Sequence, residues 1–251
     1  MILLKLDRVT KKFGALAAVN DFSCDIAKGE CHALIGPNGA GKTTIFNIIA
    51  GYVRPSRGRI MFNEENIAGL KPHVIARKGI ARTFQIRVLF DSLTVLENMM
   101  AAFHLKSSSV FLDMVLQTHH AHEEDKRVKE RSLEALEIVG LSDLREALAG
   151  SLGHVAQGKL GIAMALATEP QLLLLDEPVS GMNLAETEET LDLIRKTIER
   201  GITILLVEHN MKAVMSVADK ITVLNFGQKI AEGTPKNIMK DSEVIKAYLG
   251  E

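Results

Sequence analysis

The chain is predicted to be an α/β protein, with a mainly parallel sheet, an antiparallel β part and an inserted helical lobe. Three observations predict it. Continuous apolar runs that suit buried parallel strands end in polar residues: Ala33-Leu34-Ile35, Gln171–Leu175 and Ile202–Val207. Strand candidates near the N-terminus are joined by short turns, as hairpins are. Between about residues 87 and 164 no strand is visible and the periodicity is helical. The predicted organisation is one domain, 1–251, with a core of 1–86 and 165–251 and a helical lobe of 87–164.

In order, residues 2–8 read as a strand and Thr10 to Gly14 as a polar turn. Residues 19–26 and 31–35 are two more strands around the turn Lys28-Gly29-Glu30. A helix over 42–50 closes at Gly51, a suitable C-cap. Pro55-Ser56-Arg57-Gly58 is turn chemistry before a short strand, 59–62, and 79–84 is a strand running into Gln85. Thr94 to Phe103 is a helix with Leu93, Leu96, Met99 and Met100 on one apolar face. Ser107-Ser108-Ser109 breaks the pattern, and Glu123 to Val139 is a charged helix with Glu123–Arg127 and Asp125–Lys129 pairs. The preceding His119-His120-Ala121-His122 lacks a carboxylate or cysteine at ligand spacing and reads as a solvated helix approach. Asn183 and Glu186 form a capping-box pattern for a helix 184–199, with Leu184, Leu191, Ile194 and Ile198 on one face and Gly201 at its end. A helix 210–218, a strand 221–225, a hairpin strand at 229–231 and a helix 242–249 finish the chain.

Composition narrows the function classes. Hydrophobic residues make up 47% and charged residues 24%, and the net charge is −1. Such a balance offers nucleic acid or an anionic membrane no electrostatic footprint. Cys24 and Cys31 are expected to be reduced packing residues, and no signal peptide or membrane-length apolar run is visible. The expected setting is the cytoplasm, with any membrane role exercised through a partner.

The most specific signal is Gly36-Pro37-Asn38-Gly39-Ala40-Gly41-Lys42-Thr43-Thr44, which fits G-x-x-x-x-G-K-[ST] between a strand and a helix. A random chain of this length shows the pattern with a probability of roughly one in a hundred. Glycine lets consecutive backbone N–H groups curl around phosphate oxygens, and a side chain at Gly39 or Gly41 is expected to collide with the ligand. The following helix turns its positive end to the same anion, Lys42 reaches the β- and γ-phosphates, and the Thr43 hydroxyl suits Mg²⁺. A nucleoside triphosphate is therefore the predicted ligand.

Groups at strand ends complete the candidate set. Asp176 ends a buried strand and is placed to hold Mg²⁺; Glu177, on the other side of the strand period, suits a general base for an attacking water. Gln85 is either a ligand of Mg²⁺ or of that water, or a surface glutamine. His209 is either a γ-phosphate contact or a satisfied core histidine. Phe13 is either a stacking platform for a purine base or a hairpin core residue.

The order Gly36–Thr44, Gln85, Leu172–Pro178 and His209 resembles the ATP-binding subunits of ABC transporters over essentially the whole chain. The insert near 104–130, the segments Asp176–Asn183 and Val207–Met211, and the ending Val244–Glu251 are most similar to the larger ATPase subunit of branched-chain amino-acid importers. The lipopolysaccharide-export ATPase is similar but lacks so long an insert. The resemblance implies ATP and Mg²⁺ as cofactors, with Phe13 stacking on adenine, Gln85 in the loop that senses the membrane subunit and His209 as the switch histidine. It also implies three partners for a chain peripheral on the inner face of the membrane: a second homologous ATPase subunit, transmembrane permease subunits and, indirectly, a periplasmic or surface solute-binding protein.

One segment departs from that family. Its signature, usually Leu-Ser-Gly-Gly-Gln, is expected just before the helix Gly161–Ala167, where this chain reads Leu152-Gly153-His154-Val155-Ala156-Gln157. Gly153 replaces the serine and Val155 a glycine, in the motif that the resemblance implies closes over the partner's ATP. Two readings follow: a hydrolysing motor of a heterodimer, or a nucleotide-gated dimerisation module with weak hydrolysis. A small-molecule kinase or a GTPase is a distant third, because no Asn-Lys-x-Asp motif is present.

Overall fold

The structure, a computed structural model, describes residues 1–83, 89–104 and 119–249, leaving aside the side chains of 119–122 and 249. It divides into two compact units, Met1–Arg82 with Gln171–Glu251, and Thr83–Pro170.

The first unit holds two sheets. Strands β1 (Ile2–Phe13), β2 (Leu16–Ala27), β4 (Arg57–Phe62) and β5 (Glu65–Asn66) form an antiparallel sheet in the order β2-β1-β4-β5. Thr10–Phe13, read as a turn, is instead strand: Phe13 pairs with Leu16, and Gly14 (φ +59°) with Ala15 makes the reversal. Bulges explain the misreading, because register shifts after Leu6 and Val9 break the period-two pattern of the sequence.

The second sheet has the order β10-β9-β3-β8-β7-β6, from β3 (Cys31–Ile35), β6 (Ile80–Arg82), β7 (Leu172–Asp176), β8 (Thr203–Val207), β9 (Lys220–Asn225) and β10 (Gln228–Gly233). All its pairs are parallel except β9–β10. β3, β7 and β8 are buried at every residue, which is why they read as unbroken apolar runs. Alternation sorts their side chains into layers. Leu34, Leu172, Leu174, Leu205 and Val207 join Ile45, Phe46 and Ile49 of α1 (Lys42–Ile49) and the inner residues of the antiparallel sheet. Ala33 and Ile35 face the other way, onto Val214 of α7 (Met211–Val217), Ile238 of α8 (Pro235–Ile238) and Val244 of α9 (Ser242–Leu249).

Helix boundaries follow local chemistry. α1 ends in a Schellman motif: the Gly51 N–H (φ +80°) donates to Ile48 O and the Tyr52 N–H to Asn47 O. α2 (Pro72–Arg77), absent from the sequence reading, carries its signal in Pro72 at the first helical position. α6 (Leu184–Glu199) opens with the expected capping box, Glu186 N–H to Asn183 Oδ1 at 3.0 Å and Asn183 N–H to Glu186 Oε2 at 2.8 Å. Its buried face is Thr187, Thr190, Leu191, Leu193, Ile194 and Thr197, whereas Leu184 is 85% exposed. Leu184 was assigned to the core face; as the first helical residue it lies outside the packed stripe.

In the second unit α3 (Val95–His104) packs against α4 (His119–Ile138) and α5 (His154–Ala167). Asn98, fully buried, accepts from Phe90 N and donates to Phe90 O and Thr94 O, tying the approach to α3. The Met99 side chain is buried, and Asp125 pairs with His104 at 3.4 Å. Ser107-Ser108-Ser109 lies outside the described residues, as do the side chains of His119, His120 and His122.

Both cysteines are free and buried. Burial, with the nearby Asp219 and Glu30, pushes the Cys31 thiol up to about 12. Cys24 instead joins a buried polar cluster around His32, whose ring contacts Glu30 Oε1 at 2.7 Å, Thr222 Oγ1 at 2.8 Å and Cys24 Sγ at 3.5 Å. Burial pulls the imidazole down, but its hydrogen bonds to Cys24 and Glu30 outweigh it and lift His32 to about 9. The stabilisation from charged His32 is complete below its ordinary value of 6.5 and lost as pH rises through about 9. His32→Gln is therefore expected to cost on the order of 2–4 kcal/mol at pH 6. That cost should shrink between pH 8 and 10, as checked by denaturant unfolding of both proteins across this range.

Candidate functional site

The parallel strands deliver their carboxyl ends to one edge of the sheet, and the phosphate loop leaves β3 there. Gly36 (φ +149°), Gly39 (φ +80°) and Gly41 (φ +106°) all have backbone conformations that favour glycine. Their reasons differ. A Cβ at Gly36 would sit 2.1 Å from Leu224 O, and one at Gly41 2.5 Å from Ala18 O, whereas nothing lies within 4 Å at Gly39. At Gly41 the chain's own β2 backbone already excludes a side chain. At Gly39 the left-handed dihedral asks for glycine.

Lys42 opens α1 with its side chain buried, and its ammonium donates to Gly36 O at 2.7 Å and Pro37 O at 3.0 Å. Burial holds it below the usual lysine range, against the opposing pull of Glu177 and Asp176. A desolvated cation inside a loop whose helix begins with no side-chain cap fits a polyanion. Asn38 and Thr43 are exposed and Thr44 half-buried.

Asp176 is the last residue of β7, paired with Val207 of β8. Its Oδ2 accepts from Arg82 Nη2 at 2.9 Å, and Arg82 Nη1 donates to Asn47 Oδ1 of α1 at 2.6 Å. Arg82 thereby ties β6, β7 and α1 together. The sequence reading missed it, since its partners lie 35 and 94 residues away.

Glu177 was expected to point opposite to Asp176 by strand alternation. The strand stops at Asp176, and Glu177 takes a left-handed conformation (φ +51°) while its N–H still donates to Val207 O at 2.8 Å. Its direction is set by that turn and by His209, whose Nε2 lies 2.9 Å from Glu177 Oε1. A non-glycine residue in this region costs about 1–3 kcal/mol and concentrates at functional sites. His209 is 42% exposed at its side chain, which answers the core-histidine alternative.

Phe13, 51% exposed at the tip of the β1–β2 hairpin, carries the Lys11 ammonium 4.8 Å from its ring centroid. The hairpin-core alternative for it is set aside. Gln85 lies outside the described residues. In the second unit the signature segment is not a loop ahead of a helix at Gly161: α5 already begins at His154, so Val155 and Gln157 are helical. Gly153 is the N-cap (φ −63°, ψ 158°), has no side chain to cap with, and has open space around a Cβ position. Gln157 N–H donates to Gly153 O at 3.0 Å and its side chain to Ala149 O at 3.3 Å.

Residues 19–180 match the ABC transporter family, and residues 228–251 match the branched-chain amino acid ATP-binding cassette transporter family. The chain is 41% identical to the high-affinity branched-chain amino acid transport ATP-binding protein BraF of Pseudomonas aeruginosa, covering 99% of this chain and 98% of the other. The chain belongs to the ABC transporter ATP-binding family. Among solved structures, the ADP conformation of MJ1267, an ATP-binding cassette of an ABC transporter, superposes with a TM-score of 0.86 at 31% identity over 100% of both chains. The lipopolysaccharide export ATP-binding protein LptB of Haemophilus influenzae is 32% identical over 100% of this chain, so that alternative fits less well than the branched-chain group.

In this ABC ATPase the three loop glycines should separate on substitution. Gly36→Ala and Gly41→Ala each force backbone apart and are expected to destabilise by ~3 kcal/mol or more. Gly39→Ala, with only its dihedral to satisfy, should cost ~1–2 kcal/mol. Urea denaturation of the three variants checks the ranking.

Proposed function

We propose that the chain is the ATP-hydrolysing motor subunit of an importer for branched-chain amino acids or similar small solutes. It would work on the cytoplasmic face of the membrane beside transmembrane permease subunits, served indirectly by a solute-binding protein. The observation that carries the reading is the Glu177–His209 pair at 2.9 Å, held on the ends of two paired strands.

The geometry of the described residues and the family likeness support the following roles. Lys42 and the backbone N–H groups of the 36–44 loop bind and orient the phosphates, and Phe13 offers an exposed face to the base. Thr43, Asp176 and Gln85 are the oxygen donors suited to Mg²⁺, which would supply charge neutralisation at the phosphates. Glu177, held by His209 at Oε1, takes the proton of the attacking water. His209 fixes Glu177 in that pose and is placed to answer the γ-phosphate. Replacing Lys42 by Ala should abolish tight ATP binding in a folded protein. Glu177→Gln should retain binding but lose turnover; equal ATPase rates for wild type and Glu177→Gln would remove the base assignment.

A second reading, a nucleotide-gated module with weak hydrolysis, draws support from the bare N-cap at Gly153. Residues 153, 155 and 157 would serve the partner's nucleotide, so a weakness there falls on one of two composite sites. A heterodimer with a second homologous ATPase subunit is accordingly favoured over a homodimer. The site built from this chain's Lys42, Asp176, Glu177 and His209 would then carry most of the turnover. Gly153→Ser has room for its side chain. Combined with Val155→Gly, it is expected to raise the ATPase rate of any homodimer roughly ten- to a hundredfold, the worth of a restored hydrogen bond to a charged group. Brisk hydrolysis by the wild-type homodimer, unchanged by the repair, would count against both readings of the signature.

A further inference from the structure

Glu208 follows β8 and is 3% exposed, yet nothing above gives it work. Its carboxylate accepts three backbone hydrogen bonds. Oε1 takes Val179 N–H at 3.0 Å, and Oε2 takes His209 N–H at 2.9 Å and Asn210 N–H at 3.2 Å. The donors belong to different segments. Val179 lies two residues past Glu177, in the turn after β7; His209 and Asn210 form the turn between β8 and α7. One buried side chain therefore bridges the two turns that present Glu177 and His209.

We propose that Glu208 is a positioning residue for ATP hydrolysis, setting the Glu177–His209 distance by clamping their two turns together. The proposal rests on the assignment of Glu177 and His209 above. Three features make the clamp stiff. Burial removes water as a competing acceptor, so each lost bond leaves an orphaned N–H. The two oxygens divide between the two turns, so neither turn can shift without stretching a bond to the carboxylate. Asn210 is fixed a second time, its side chain accepting from Ala213 N–H at 3.2 Å as the N-cap of α7. The left-handed backbone at Glu177 adds a reason for a clamp, because a strained turn persists only where its surroundings over-determine it.

A residue that merely satisfies orphaned donors would stabilise the fold without regard to His209. A clamp acts through His209, and a double-mutant cycle separates the two. Glu208→Gln keeps the size but offers a single acceptor oxygen against donors on both sides. In the assembled transporter complex it is expected to lower the ATPase kcat roughly ten- to a hundredfold, with ATP affinity within about twofold of wild type. In a His209→Ala background the same change should cost less than about threefold, because the pair it positions is already broken. Glu208→Asp keeps the charge and both acceptors but falls short of one turn. It runs the same cycle should the amide variant not fold, with about a tenfold loss expected. Unchanged turnover, an equal loss with and without His209, or a parallel loss of ATP affinity would each overturn the clamp. Wild-type turnover by Glu177→Gln would instead sink the underlying assignment, so the two failures are distinct.

Discussion

The backbone of the phosphate loop touches the backbone of its neighbours, and the geometry of the site depends on that contact. Gly36 is pressed to Leu224 of β9 and Gly41 to Ala18 of β2. The hairpin turn after β9 completes the grip: Gly227 N–H donates to Ala40 O at 3.0 Å and its carbonyl accepts from Asn20 N–H at 2.8 Å. The loop is thus wedged between the two sheets by contacts within the chain. Preorganisation of this kind spares a phosphate the cost of ordering the donors that bind it. It also fixes where α1 begins, and so where a buried lysine must sit.

Around the wedge, charge is arranged by long-range contacts. Lys42 is desolvated yet near two carboxylates. Of these, Asp176 is engaged by Arg82 and Glu177 by His209. Each acid therefore has a distinct partner, buried for Asp176 and half-exposed for Glu177, which keeps two adjacent side chains from competing for one cation. Arg82 reaches across three elements and Glu208 across two turns, so the strand ends behave as one braced unit.

The parts of this architecture that were readable from sequence are those encoded locally. The phosphate loop, the buried strands β3, β7 and β8, the capping box of α6 and the Gly51 stop all carry their signals within a few residues. Readings failed where geometry came from outside that window. The bulges at Arg8 and Asp21, with φ of +48° and +53°, hid the true length of β1 and β2. Leu184 matched a helical period but lies in the first turn, beyond the surface it was meant to cover. The direction of Glu177 hangs on a dihedral that residue type does not favour. Arg82 stands in no motif, and Glu208 stands in the Val207–Met211 segment without a role read from it, since their importance is a matter of which backbone or carboxylate they meet.

Gly153 is the instructive contrast to Gly36. Its φ of −63° and ψ of 158° are open to any residue, and a Cβ there meets nothing within 4 Å. Nothing in this chain's own packing asks for glycine at the start of α5, whereas Gly36 cannot be anything else without moving β9. A serine would even have stabilised the helix a little, by a few tenths of a kcal/mol as an N-cap. On the proposed reading, the consequence of its absence would fall outside the chain, on what the first turn of α5 faces in an assembly. The positive end of the 14-residue helix dipole lies at that turn, so it attracts an anion while its N-cap lacks a hydroxyl to orient one. Attraction without orientation suits closing over a nucleotide better than accelerating its hydrolysis. On the proposed reading the asymmetry lies there: a phosphate loop fixed by its own backbone, and a signature segment that the packing around Gly153 leaves open to other residues.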